Sequence, residues 1–506
     1  MRHLSTSLPK YRVCLRTLLF VFAIAILNFA GAQTLNAKVD AINEQIDRDR
    51  KAYAHFMMGL IFDRQREPDK GIAEYNKALE YNEGASWIYL RIAQDYLNLN
   101  EFENAMQYID KALQANPQSV EAHALLAYIY TFKKDYDAAV VEYEKIIELD
   151  PEDKIALSSL ADILVFQGKN EKAIDVYERL LNQVDDLPIL YFNVGLIYLH
   201  IEDFDKAINK FDKALELDDD FVPAYLSLAL ISEIQGKSEQ AIFYYEESLK
   251  RDPLNINVYK QLGQLYIDKK DYKKATIQYE LVLKLYPEDT SSYITLAYLY
   301  ADEKQLDKSV EILKKALEEN VAQLDRIYIT LATIYQQQDT NDLAEAAYKS
   351  AQEINPESDL AYFYLGVYYE TNNKREKAAT QFKAAIEINP DNADALNYLG
   401  YMYAEEGINL KEAEKMLNRA IEIEPGNGAF IDSLGWIYYK LDNLDKAHEL
   451  IEKASSLIKD PIIFDHLGDI YFKKGQIEKA KESWRKSLEI DPDIEGVEEK
   501  IERLNR

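Results

Sequence analysis

One small residue returns along this chain at an almost fixed interval: Gly59, Ala93, Ala127, Ala161, Gly195, Ala229, Gly263, Ala297, Ala332, Gly366, Gly400, Gly435 and Gly468. Seven successive intervals are 34 residues, then 35, 34, 34, 35 and 33. A self-similar period of this length specifies stacked units rather than one globule, because a 34-residue unit buries too little surface to fold alone. Units therefore begin near residues 52, 86, 120, 154, 188, 222, 256, 290, 325, 359, 393, 428 and 461, with the small residue at position 8.

The other marks say what each unit is. Position 11 is aromatic in eleven of thirteen units, with Leu164 and Ser232 the exceptions, and position 20 is Ala except for Gly71 and Ser309. Apolar residues at positions 4, 7, 8 and 11 follow the i, i+3, i+4, i+7 spacing of one helical stripe, and positions 20, 24 and 27 trace a second. Gly, Asn or Asp near position 15 (Asn100, Gly168, Gly236, Gly407, Gly475) separates the two helices, and Pro117, Pro151, Pro253, Pro287, Pro356, Pro390, Pro425 and Pro492 close units at one phase. Small residues at 8 and 20 let two backbones approach, and large ones at 11 and 24 fill the remaining volume.

The pattern resembles the tetratricopeptide repeat. Its signature of W-x2-L-G-x2-Y, A-x3-F and P reads here as Tyr362-x2-Leu365-Gly366-x2-Tyr369, Ala378-x3-Phe382 and Pro390, and again as Phe464-x2-Leu467-Gly468-x2-Tyr471, Ala480-x3-Trp484 and Pro492. The resemblance covers residues 52–494 and implies an all-α, right-handed α-solenoid of about 13 repeats. The closing proline is missing at Glu83, Asp185, Asp219, Val321 and Lys459, and single-residue slips fall near Leu324 and Gly407. At the ends, Leu35, Val39, Ile42 and Ile46 in segment 33–51, and Val497, Ile501 and Leu504 in segment 495–506, form amphipathic helices expected to cap the array. No linker rich in Ser, Gly or Pro interrupts it, so one continuous domain is expected.

Residues 1–32 read as an export signal. Arg2, Lys10, Arg12 and Arg16 precede an apolar core from Leu18 to Ala30, and Ala30-Gly31-Ala32 supplies the small-x-small cleavage pattern. The core is too short to span a bilayer as a helix, so the mature chain is expected to be periplasmic or envelope-associated, with no integral membrane span. Cys14 is the sole cysteine, which excludes a disulfide framework. The formal net charge is −29, and a polyanion of this size does not bind nucleic acid by neutralising phosphates.

Chemistry has little to work with. His55 and His123 sit at position 4, a packing slot; His448-Glu449 begins a zinc-protease pattern whose second histidine is replaced by Glu452; Asp218-Asp219-Asp220 lacks the spaced ligands of a calcium loop. No phosphate loop, dinucleotide fingerprint or nucleophile elbow is present. A non-catalytic protein without cofactor or metal is expected. Of 38 tyrosines, 23 fall in packing slots at positions 4, 11 and 24.

The remaining apolar residues are less ordinary. At about 100° per residue, positions 2, 5, 9, 12 and 13 lie almost opposite the packing stripe, where polar residues belong. This chain puts Phe56, Trp87, Tyr128, Phe132, Phe166, Phe192, Tyr298, Phe363, Tyr401, Trp436, Tyr439 and Phe472 there, with Leu60, Leu90 and Leu196. Polar groups are interleaved: Gln94, Asp162, Lys260, Gln264, Asp432, Asp465 and Asp469. In the family it resembles, these positions line a concave groove that receives a partner, so capture of a peptide or helix, with basic segments favoured by the acids, is the function implied; part of the set also serves as core between repeats. A carboxylate clamp known in the family needs Lys and Asn at 5 and 9, then Lys and Arg at 2 and 6 two units on. Lys260, Gln264, Arg326 and Thr330 do not complete it. Stretches such as Leu399-Gly400-Tyr401 and Asp432-Ser433-Leu434-Gly435-Trp436 are similar to exported bacterial members, implying a role in envelope assembly or, alternatively, as a docking subunit of an envelope secretion or polysaccharide-export complex.

Overall fold

The structure is a computed structural model that describes residues 10–184, 187–319 and 321–504, with side chains from residue 37 onward. The expected signal, 1–32, thus lies outside the described residues up to residue 9 and is described only as helical backbone beyond it.

Every described element is a helix, and consecutive helices pair as hairpins in which a first helix of 13 or 14 residues is followed by a second of 12 to 14, from Ser86–Asn98 with Phe102–Ala115 to Pro461–Lys473 with Ile477–Ile490. The pairing follows from the small residues. An ideal Cβ on Gly366 would lie 2.6 Å from the Phe382 ring, on Gly195 2.5 Å from Phe211, and on Gly468 2.4 Å from Trp484. Gly thus occupies position 8 wherever Phe or Trp at position 24 presses on it, whereas Ala93 and Ala297 face the smaller Ile109 and Leu313. The two departures at position 20 have local causes. A Cβ at Gly71 would meet the Asp63 carboxylate at 2.4 Å, and the Ser309 hydroxyl, wholly buried, donates to the Ala297 carbonyl at 2.7 Å.

The turn inside each hairpin is more uniform than the sequence suggests. Position 15 is left-handed in all thirteen repeats, and in nine of them it is not glycine: Arg66, Asn100, Lys134, Glu202, Lys270, Lys304, Asp339, Asn373 and Asp442. At Asn100 the cap closes with Glu101 N–H donating to Tyr96 C=O at 2.8 Å and Asn100 N–H to Leu97 C=O at 3.0 Å, the Schellman arrangement. These bonds and the packing on either side hold a conformation that costs a residue with a Cβ about 1–2 kcal/mol.

The array resolves into two compact units, Met1–Tyr244 and Tyr245–Arg506, divided within the second helix of the sixth repeat, Ser238–Arg251. Each unit is a stack of hairpins with its core between helices. In the first, Ile72, Tyr75, Ala78 and Leu79 of repeat 1 pack with Ile88 and Ile92 of repeat 2.

The two ends differ. Helix Val497–Arg503 packs on the last hairpin of the second unit: Val497 is fully buried with Ala480 and Trp484, and Ile501 and Leu504 pack beside them. The amino-terminal segment corrects the expectation. No turn separates 33–51 from the first repeat; Lys10–Arg64 is one helix, and Val39, Ile42 and Ile46 remain exposed instead of lying across the first unit. Among the described residues no helix is long and apolar enough to cross a membrane.

Candidate functional site

On the first helices of repeats 2 to 6, in the first unit, the positions opposite the packing stripe form an apolar ladder. Trp87, Tyr128, Phe132 and Phe166 are all exposed, Phe166 at 70%. The rings are seated rather than dangling: Phe132 stacks on Phe102 at 4.8 Å, Phe166 lies 4.7 Å from Tyr136, and Trp87 meets Phe56 edge-on at 4.3 Å. Phe192 is half-buried between Phe211 at 5.5 Å and Phe221 at 5.3 Å. Rings already fixed by neighbours lose little freedom when something docks on them.

Sequence reasoning singled out aromatics and, Leu60, Leu90 and Leu196 apart, passed over the aliphatics on the same rungs. Ile155 at position 2 is 79% exposed, and Val165, Ile189, Leu196, Leu230 and Ile234 are exposed as well. The signal was available, since the same periodicity places them there. Across positions 2, 5, 9, 12 and 13 of repeats 2 to 6 there is no Lys or Arg, while Glu121, Asp162 and Glu233 are acidic. A depression of about 180 Å³ lined by Asp162, Val165, Tyr177, Asn193, Leu196 and His200 interrupts the ladder between repeats 4 and 5. At its base the Tyr177 hydroxyl donates to the Asp162 carboxylate, and burial together with that charge raises the phenol's pKa.

The second unit spends the equivalent residues differently. Phe363 and Trp436 are core: Phe363 packs against Phe382 and Tyr398, and Trp436, only 6% exposed, is stacked between Tyr439 at 4.5 Å and His466 at 3.9 Å while its indole N–H donates to Glu405 at 2.5 Å. Asp432 is buried and accepts from His466 at 2.9 Å. Burial alone would lower the His466 pKa, but the Asp432 carboxylate, with Asp465 and Asp469 beyond it, raises it overall. Asp465 and Asp469, expected to meet a ligand, are taken by Lys500 of the capping helix at 2.7 Å and 2.8 Å. Lys260 is likewise paired, with Asp289 at 2.7 Å. Tyr401 and Tyr439 are half-buried, and burial is the main reason both phenols are raised. Tyr298 and Phe472 alone of the second unit's expected anchors are well exposed. The thirteen residues do not form one surface, and the face is apolar and open chiefly in the first unit.

One buried polar cluster lies behind the ladder, between repeats 1 and 2. Asp63, which accepts from the Tyr75 hydroxyl, meets the buried Asp95 over Gly71. Burial, and after it the Asp63 charge, raise the Asp95 carboxyl to about 7. No group of three or more His, Cys, Asp and Glu side chains able to hold a metal occurs among the described residues.

The stacked hairpins and their open first-helix face define a helical repeat protein of the α-solenoid class. Family models described as tetratricopeptide repeat match residues 64–129, 222–253, 256–289, 290–320, 325–358 and 461–494, and one described as TPR repeat matches 372–407. The chain belongs to the tetratricopeptide-repeat family. A further model, for the TT21 fifth ARM repeats domain, matches 120–221. No curated protein matches the chain. Among solved structures, it is similar in fold to Naa15/Naa10 bound to HypK (17% identity, 85% of this chain and 67% of that one, TM-score 0.44) and to the Cut9–Hcn1 hetero-tetramer of the APC/C (15%, 92% and 98%, 0.41). A third is the C-terminal part of a TPR repeat-containing protein from Cytophaga hutchinsonii (19%, 47% and 97%, 0.42).

Proposed function

We propose that this protein is a non-catalytic scaffold that captures a segment of another protein on the first-helix face of repeats 2 to 6, and that it does so after export, in the cell envelope. The observation that carries the reading is the ladder itself: Trp87, Tyr128, Phe132, Ile155, Phe166, Ile189 and Ile234 stand exposed on the first helices of five successive repeats, in a chain that buries positions 8 and 20 in every repeat. An apolar face of that extent is costly in water and marks an interaction surface. Its acids and lack of Lys or Arg favour a segment carrying basic residues beside apolar ones, docked as a helix or an extended strand. The envelope assignment rests on the signal-like residues 1–32 and is supported by the absence of any cysteine beyond Cys14.

Photo-cross-linking in the native cell tests this reading. A photoreactive residue at Phe132, Phe166 or Ile234 should trap a common partner, while one at Lys145 on a second helix should not. Equal trapping at Lys145, or none on the ladder, refutes it.

A further inference from the structure

The amino-terminal helix carries a second, largely uncovered apolar face, which meets the ladder where Tyr53 stacks on Trp87 at 5.7 Å. Val39, Ile42, Ile46, Arg50, Tyr53, Met57 and Ile61 follow spacings of 3, 4, 4, 3, 4 and 4 residues, which keeps them on one line along a helix for about 33 Å. All six apolar members are exposed.

Where this line reaches repeat 1, the other repeats show what is missing. Met58 and Ile61 occupy positions 7 and 10, and they are 44% and 45% exposed. The twelve equivalents of each in later repeats, from Ile92 and Asp95 to Leu467 and Ile470, are all buried. A preceding second helix covers them: for repeat 2 it offers Ile72, Tyr75 and Leu79, spaced i, i+3, i+7. Val39, Ile42 and Ile46 have that same spacing. They cannot fold back onto Met58 and Ile61 of their own chain, because no turn breaks the helix between them.

We infer that two copies of this chain pair through residues 39–61 of their amino-terminal helices, antiparallel and about a two-fold axis at Arg50. The line is close to symmetric about that residue. Val39 and Ile61 lie eleven positions to either side, Ile42 and Met57 eight and seven, and Ile46 and Tyr53 four and three. Antiparallel pairing therefore sets the aliphatic end of each helix on the Tyr and Met end of the other, which is the self-complementarity an isologous interface requires. Arg50 at the axis is already neutralised by Asp47 of its own chain at 2.6 Å. The far end of the array offers no competing contact, being sealed by Val497 and Lys500. The whole line lies beyond residue 32 and survives removal of the signal.

The test uses the full chain with Cys14→Ser, single cysteines and a short bismaleimide. Arg50→Cys should link to itself. Val39→Cys should not, but should link to Ile61→Cys when the two chains are co-expressed. Ile46→Asp should lower the mass by light scattering from twice 58.5 kDa to that of one chain, while Phe166→Ser on the ladder leaves it unchanged. Val39→Cys linking to itself as strongly as to Ile61→Cys, or an Arg50→Cys chain that stays single, overturns the antiparallel pair. So does an Ile46→Asp chain of undiminished mass. A mass lowered by Phe166→Ser would place self-association on the ladder and overturn it too.

Discussion

Replacing Gly366 by Ala examines the packing rule on which the whole array depends. Elsewhere the change favours a helix by about 0.5–1 kcal/mol. Here the new Cβ arrives 2.6, 2.8 and 3.1 Å from three atoms of the Phe382 ring, against a comfortable carbon separation of 3.5–4.0 Å. The ring has nowhere to retreat: Phe382 is fully buried, with Tyr398 at 5.3 Å and Phe363 at 6.0 Å. Overpacking of this kind costs about 1–3 kcal/mol, so after the propensity gain a net loss of about 1–2 kcal/mol is expected. Because repeat arrays are held by nearest-neighbour contacts, the loss should be local. Amide hydrogen exchange in Asp359–Thr371 and Arg375–Ile388 should speed up about five- to thirtyfold, while helices of the first unit are unchanged. Phe382→Leu in the same chain should recover on the order of 1 kcal/mol, since Ala over Leu is the pairing the chain already uses at Ala297 and Leu313. Slower exchange in Gly366→Ala than in the parent would show that the ring does not press on that backbone, and the account of the thirteen small residues would fail.

Two pH effects of opposite origin are expected. Asp95 is raised to about 7 by burial and by Asp63, so the folded state holds a proton that the unfolded state releases near pH 4; the first unit should lose thermal stability as pH rises from about 4 to above 7, and Asp95→Asn should flatten the curve. His466 is raised overall by Asp432, so its contribution is full below its ordinary value near 6.5 and is lost as pH rises through the folded value. His466→Gln should remove that dependence, followed in Trp436 fluorescence because the indole stacks on the imidazole at 3.9 Å.

Much of the fold was legible because its causes are local and repeated. The Gly and Ala at position 8 and the Ala at position 20 marked the helix contact, and the structure supplies the reason for Gly at 195, 366 and 468 in the Phe or Trp ring that presses on each. The turn at position 15 was legible only where Gly, Asn or Asp stood; at Arg66, Lys134 or Glu202 the hairpin imposes a conformation the residue does not advertise. The site was legible in part. Angular position identified a face but could not say which rings a neighbour covers, because coverage depends on contacts about 34 residues away in sequence. Trp436 is enclosed by His466 from the next repeat and Asp465 by Lys500 from the cap, whereas Phe132 and Phe166 meet only one ring each. The amino-terminal cap was misread for a simpler reason: amphipathic spacing shows that a helix has an apolar face, not that a turn will bring it home.

The central claim is that the open rungs of the first unit hold the partner, and an affinity comparison puts it to the sharpest trial. Once a bound segment has been identified, its Kd should be measured for the parent chain, for Phe132→Ser/Phe166→Ser/Ile234→Ser, and for Tyr298→Ser/Phe472→Ser in the second unit. Removing three exposed apolar contacts of about 1–2 kcal/mol each should weaken binding a hundredfold or more, with the helical circular dichroism unchanged and the second-unit variant binding like the parent. Parent-like affinity in the triple variant, or a loss confined to the Tyr298/Phe472 variant, would contradict the account.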